Sequence, residues 1–231
     1  MRNMLTLLAL LSFQVTFGQF AIIADKDGFT NVRKSGDIGK NIIDTLTNGQ
    51  IVYCLEGENP DWRPVDYEKN GKTLSGYIHN SRLFYFDKFR DIKYFSLSEN
   101  SIVFKFDTIK LTIIKEPFLT NKNKLLYVKT NDKINESKFL AKINGETFWG
   151  TDGDIPKYQY KKIRLQIGKK EIDLPFKNMY EPNLDYTKVN FDNKTNTIYI
   201  TADNSDGAGA YTVLWIVTNG VFKRKIITIP F

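Results

Sequence analysis

The chain is nearly without the two side chains that most often carry reaction chemistry: its 231 residues hold one cysteine and one histidine, Cys54 and His79. A single cysteine excludes an intramolecular disulfide. Its position at residue 54 predicts that the exported chain is not a lipoprotein, since a lipid anchor needs a cysteine directly after the cleavage point. From about residue 87 onward there is neither cysteine nor histidine. Thiol-imidazole, Ser-His-Asp and multi-histidine metal chemistry therefore have no complete set of groups there. Long apolar runs are missing as well. Beyond the extreme N-terminus no window approaches the ~20 apolar residues that a membrane helix requires.

The first nineteen residues, "MRNMLTLLALLSFQVTFGQ", are the exception. A cation at Arg2, an apolar stretch from Met4 to Leu11 and a small residue, Gly18, follow one another in the order of a secretory signal peptide. Residues 1–19 are read as that leader, and the rest as exported to the periplasm or beyond the cell. Lys and Arg number 33 against 26 Asp and Glu, a formal charge of +7. A dispersed surplus of this size favours anionic wall polymers and membrane surfaces, and a Lys- and Asn-rich composition produces it with no partner selected. Export argues against nucleic acid as a partner. No cofactor is expected.

What the sequence has in quantity is short runs of β-branched and aromatic residues bounded by Gly, Asn, Asp and Pro, with little helical periodicity. This predicts an all-β chain. Residues 20–86 hold "FAIIA", "FTNVRK", "NIIDTL", "QIVYCLE", "DWRPVDYE" and "LSGYIH". Asp27-Gly28, Asn48-Gly49 and Asn70-Gly71 between them supply the positive φ that tight turns demand. Strands so short and so few bury a core by curling into a small barrel. Val32, Ile43 and Leu46 are expected to face inward, and Cys54 is read as a buried strand residue behaving as a small hydrophobe.

The order of motifs in this segment is specific. Asn31-Val32-Arg33 is followed by a polar loop, then by Gly49-x-x-Val52, Trp62-x-x-Val65, and a closing Gly76-Tyr77-Ile78 with Leu83. Taken together these motifs resemble the bacterial SH3-like (SH3b) domain family. Two residues depart from its usual pattern, Thr30 in place of Leu and Tyr77 in place of Trp, and the middle hairpin is longer. The resemblance implies a small barrel that binds peptidoglycan or its stem peptides, or that mediates protein contacts in the envelope.

The candidate ligand-binding residues are Asn31, Arg33, Trp62, Tyr67, Tyr77 and His79. Asn31 can satisfy backbone groups at a loop entrance, and Arg33 can pair with a carboxylate such as Asp37 or Asp66. Trp62 and Tyr67 flank Pro64 and offer flat faces to a sugar or peptide, or else pack the barrel. His79 lies on the same strand face as Tyr77, without the neighbouring ligands of a metal site.

Residues 87–231 are predicted to form a larger β-sandwich or barrel, with Asn144-Gly145 and Asn219-Gly220 as hairpin turns and a turn of helix before Pro182. The aromatic-rich "LFYFDKFRDIKYF" is too apolar for a floppy linker and is expected to dock the two halves together. Two loops stand out. "GTDGDIP" offers Asp152 and Asp154, and "TADNSDGAGAY" offers Asp203 and Asp206, as oxygen ligands for calcium or as a carboxylate pair for glycoside hydrolysis. The EF-hand register fails, since its first position falls on Ala202. Three classes follow: a non-catalytic binder of peptidoglycan or an envelope protein acting through the barrel, a scaffold recognising its partner through the second domain, and a carboxylate-dependent glycan hydrolase.

Overall fold

The computed structural model describes residues 18–129 and 138–230. Of the expected leader only Gly18 and Gln19 fall among them. The fold is all-β, and among the described residues helical content is limited to single 3-10 turns.

Seven strands make up the first sheet: β1 (Gln19–Ile23), β2 (Phe29–Arg33), β3 (Ile42–Thr47), β4 (Ile51–Cys54), β5 (Trp62–Lys69), β6 (Lys72–His79) and β7 (Leu83–Tyr85). They pair antiparallel in the order β3-β2-β6-β5-β4-β1-β7. One apolar cluster draws on every strand, from Leu46 on one edge to Leu83 on the other, with Val32, Val52, Val65 and Ile78 between them. Side chains from both edges can meet only if the sheet curls on itself, so this is a small, partly open barrel. Asn70 and Gly71 both adopt positive φ (53° and 73°) and close the β5–β6 hairpin. Gly76 marks where β6 crosses β2. A Cβ there would lie 2.4 Å from Val32 Cγ1 and 3.0 Å from the Arg33 carbonyl oxygen, so only glycine lets the strands approach.

Val32 and Leu46 point inward as expected, whereas Ile43 is half exposed. The register between β2 and β3 shifts after Val32. Ile43 lies three residues from the buried Leu46, an odd offset that puts the two on opposite faces of β3, so they could not both face inward on one regular strand.

The rest of the chain forms two five-stranded antiparallel sheets and a two-stranded ribbon. Its strands are β8 (Arg90–Asp91), β9 (Tyr94–Ser98), β10 (Ser101–Phe106), β11 (Ile109–Pro117), β12 (Leu125–Lys129), β13 (Lys138–Ile143), β14 (Tyr158–Ile167), β15 (Lys170–Asp173), β16 (Thr187–Asp192), β17 (Thr197–Asn204), β18 (Tyr211–Thr218) and β19 (Val221–Thr228). Sheet β15-β14-β11-β10-β9 packs on sheet β19-β18-β17-β16-β8, burying Leu111, Ile113, Ile163 and Leu165 against Val189, Ile200, Val213 and Trp215. This is a sandwich. The Trp215 indole N–H is satisfied by the Pro175 carbonyl at 2.8 Å.

Asn219-Gly220 closes the β18–β19 hairpin as predicted. Asn144-Gly145 also turns the chain, but no strand follows. β13 pairs back with β12, while Trp149 is drawn away by hydrogen bonding to Asn178 and Phe148 packs edge-on against Tyr180. The short helical turn sits at Leu184–Tyr186, after Pro182 rather than before it. Proline disfavours the helical region for the residue it follows, and Glu181 is indeed left-handed at φ 51°.

The sequence of β18, "YTVLWIVT", has no polar alternation, and its first seven residues are all buried. Tyr211, Val213, Trp215 and Val217 enter the sandwich core. Leu214 and Ile216, on the opposite face, join Tyr199 and Ile226 in a second core against Phe20, Tyr53 and Phe86 of the barrel side. A strand covered on both faces reads as a continuous apolar run. Burying each such aliphatic side chain is worth roughly 1.5–3 kcal/mol, so the barrel is a third layer of one packed body. The aromatic connector builds the junction: β7 ends the barrel sheet, Phe86 and Phe89 stack on Tyr199, β8 joins one sandwich sheet and β9 the other. An exposed pair, Arg224 and Glu68 at 2.9 Å, spans the same boundary.

Candidate functional site

Four of the six residues singled out from the sequence meet at one end of the barrel. Register sets Arg33 beside Tyr77 and Trp62 opposite His79. The Arg33 guanidinium lies 5.6 Å from the centre of the Trp62 ring, and the His79 ring meets that indole edge-on at 5.2 Å. The loop after β2 folds over them, with Gly36 so close that a Cβ would be 3.0 Å from Trp62 Cβ.

The groups in this cluster are largely occupied by one another. Arg33 Nη1 donates to the Gly39 carbonyl (2.7 Å) and to Asn41 Oδ1 (2.8 Å). The two carboxylates expected to receive it are engaged elsewhere: Asp37 accepts from Asn41 and Asp66 accepts from Ser75. Trp62 is only 8% exposed. His79 Nδ1 accepts from the Ser81 backbone N–H and lies 2.8 Å from the Ser81 hydroxyl, starting the 3-10 turn Asn80–Arg82. Tyr77 keeps part of its surface in solvent.

The other two lie apart. Tyr67 belongs to the barrel core and donates its hydroxyl to Asp44 Oδ2 at 3.0 Å, while Asn31 sits farther along the outer face of β2, beside Thr45.

The two carboxylate-bearing loops are also brought together. Ser205 donates to the Gly150 carbonyl at 2.6 Å, and Gly209 packs on the Thr151 backbone. Asp152, Asp154 and Asp206 thereby line one groove of about 560 Å³. Among the described residues no three His, Cys, Asp or Glu side chains are grouped so as to hold a metal ion. Asp203 does not join this groove. Alternation along β17 sends Asn204 into the sandwich, where it accepts from Tyr160, and turns Asp203 toward the barrel.

That barrel-facing side of β16–β18 is the floor of a cleft of about 1050 Å³ between barrel and sandwich. Arg63, Tyr85 and the Cys54–Glu56 segment form one wall, and Tyr186, Lys188, Asp203 and Asp206 the other. The Tyr53 hydroxyl donates to the Gly18 carbonyl at 2.9 Å and lies 3.3 Å from Thr212 Oγ1, which donates to Asp203 Oδ1 at 2.6 Å. Burial raises the Asp203 carboxyl above its ordinary value, against the Thr212 hydrogen bond and the nearby charge of Lys188. Burial likewise pushes the Cys54 thiol up to about 12, so the one sulfur beside the cleft is not a nucleophile at neutral pH.

A cleft with carboxylates, cations and phenol hydroxyls on fixed walls can orient a polar ligand through several directed hydrogen bonds. Sequence reasoning marked Asp203 and Asp206 only as a calcium or catalytic pair and did not mark Arg63, Tyr186 or Lys188. The usable signal was the aromatic connector, because ligand sites favour the junctions that such connectors create. No family model, curated protein or solved structure matches the chain.

Proposed function

We propose that this protein is an exported, non-catalytic binding protein of the cell envelope, an SH3-like barrel fused to a β-sandwich, holding its ligand in the cleft between them. The observation that carries this reading is the cleft itself: about 1050 Å³, walled by both halves, and held open by the shared core of Phe20, Tyr53, Tyr199 and Leu214. Prebuilt walls reduce the ordering cost of binding. Export rests on the leader-like N-terminus, and an envelope ligand, peptidoglycan or a protein segment, on the motif resemblance. The non-catalytic reading is supported by the separate employment of Cys54, in the barrel core, and His79, on Ser81. No helix among the described residues is long and apolar enough to cross a membrane.

The test is co-sedimentation of the full-length chain with insoluble peptidoglycan. Retention is expected, with loss in Asp206→Trp, which fills the cleft from an exposed position, and no loss in Tyr77→Ala. Absence of retention removes peptidoglycan as the ligand. Loss in Tyr77→Ala with retention in Asp206→Trp moves the site to the barrel end and overturns the cleft assignment.

A further inference from the structure

The cleft does not stop at the module junction. At one end it shares Gln19, Lys188 and Asp203 with a second cavity of about 420 Å³ that runs under the connector past Asp87, Asp91 and Asp185. At the other it shares Asn183, Ser205 and Asp206 with the 560 Å³ groove beside Asp152, Asp154 and Glu181. The three spaces are thus segments of one groove along the flank of sheet β16–β19. A groove of this form suits a chain rather than a compact small molecule.

Its charge is opposite to that of the protein. Nine carboxylates line it against five cations, in a chain where cations outnumber carboxylates 33 to 26. Two of the cations are set against carboxylates of the groove itself, Lys93 with Asp91 and Lys188 near Asp203, while Lys115 lies over the Tyr158 ring, so the surplus of carboxylates over cations remains after pairing. Low-dielectric walls concentrate the field of such a groove and select an occupant of the complementary sign. The loop between Ser205 and Gly209 carries almost no side-chain bulk, and a Cβ on Gly207 would meet nothing within 4 Å. Bare peptide groups bordering a groove offer main-chain hydrogen bonds to an extended backbone.

We infer that the groove binds an extended, cationic peptide, one bearing lysine-like amines along its length. This rests on the cleft as the binding site and adds the ligand's class and shape.

Fluorescence anisotropy of the full-length chain with labelled oligolysines tests it, using a short and a long peptide, with oligoglutamate and a chitosan oligomer as controls. The long oligolysine is expected to bind more tightly than the short one, and oligoglutamate not at all. The net charge of the protein alone predicts the reverse order. Two distant double variants, Asp87→Asn with Asp185→Asn and Asp152→Asn with Asp154→Asn, should each weaken the long peptide by about threefold to tenfold. Equal affinity for both lengths, or preference for oligoglutamate, overturns the inference. Preference for chitosan replaces the peptide with an amino-sugar polymer and equally overturns it. If peptidoglycan retention still depends on residue 206 while oligolysine fails to bind, the cleft stands and only the cationic-peptide reading falls.

Discussion

Tyr53 and Thr212 meet hydroxyl to hydroxyl at 3.3 Å across the boundary between barrel and sandwich, in a buried position. The phenol also donates to the Gly18 carbonyl. Tyr53→Phe keeps the ring against Phe20 and removes both interactions of the hydroxyl. The expected cost is about 1 kcal/mol, read as a lower denaturant midpoint with an unchanged slope. A stability equal to wild type would show that the link contributes nothing to joining the halves.

The same chain of groups makes Asp203 a pH reporter. Burial is the largest cause of the rise in its carboxyl, and the Thr212 hydroxyl that donates to it opposes the rise. Its folded value is raised, so stability is greatest below the ordinary value of 3.8 and declines as pH rises through the folded value. Asp203→Asn removes that decline. The variant should gain on wild type between acid and neutral pH in paired urea titrations, and a constant difference would refute the assignment.

Asp44 has the opposite sign. Lys69, the Thr45 backbone N–H and the Tyr67 hydroxyl hold its carboxyl below 3.8. Its contribution is present above that value and is lost as pH falls through the lowered folded value. Asp44→Asn should therefore destabilise the chain at neutral pH, with the deficit shrinking on acidification.

Gly76→Ala forces a Cβ to within 2.4 Å of Val32 Cγ1. Overpacking of this kind costs about 1–3 kcal/mol, and thermal unfolding should show the loss. The paired change Gly76→Ala with Val32→Ala should recover part of it.

Cys54 should resist iodoacetamide at neutral pH in the native chain and react fully in denaturant, as followed by intact mass. Burial and a thiol value of about 12 both predict this. Rapid native labelling would contradict the burial of the barrel core at this residue.

The all-β class and many of the strands were legible because period-2 alternation and Asx-Gly turns are local signals. Val32 and Leu46 followed from alternation, and Ile43 failed because it lies three residues from Leu46, on the opposite face of the same strand. The hairpin expected at Asn144-Gly145 was not completed because Trp149 bridges instead to Met179, a partner distant in sequence. The barrel-end cluster was visible as motif spacing, but the mutual satisfaction of Arg33, Trp62 and the loop was not. The cleft was the least legible part. It belongs to neither half, and its residues become neighbours only after sheet β16–β19 is covered on its second face.

β18 gives up no face to water. Separated from the barrel, the sandwich would expose Leu214, Ile216, Tyr199 and Ile226 as one apolar sheet surface, and the barrel would expose Phe20 and Phe86. Such surfaces drive association. The barrel is therefore not a cassette that can be swapped, deleted or fused elsewhere as free-standing small barrels can. A truncation that loses binding would report a ruined interface rather than a missing site, so point substitutions in the intact chain are the appropriate way to map its recognition surface.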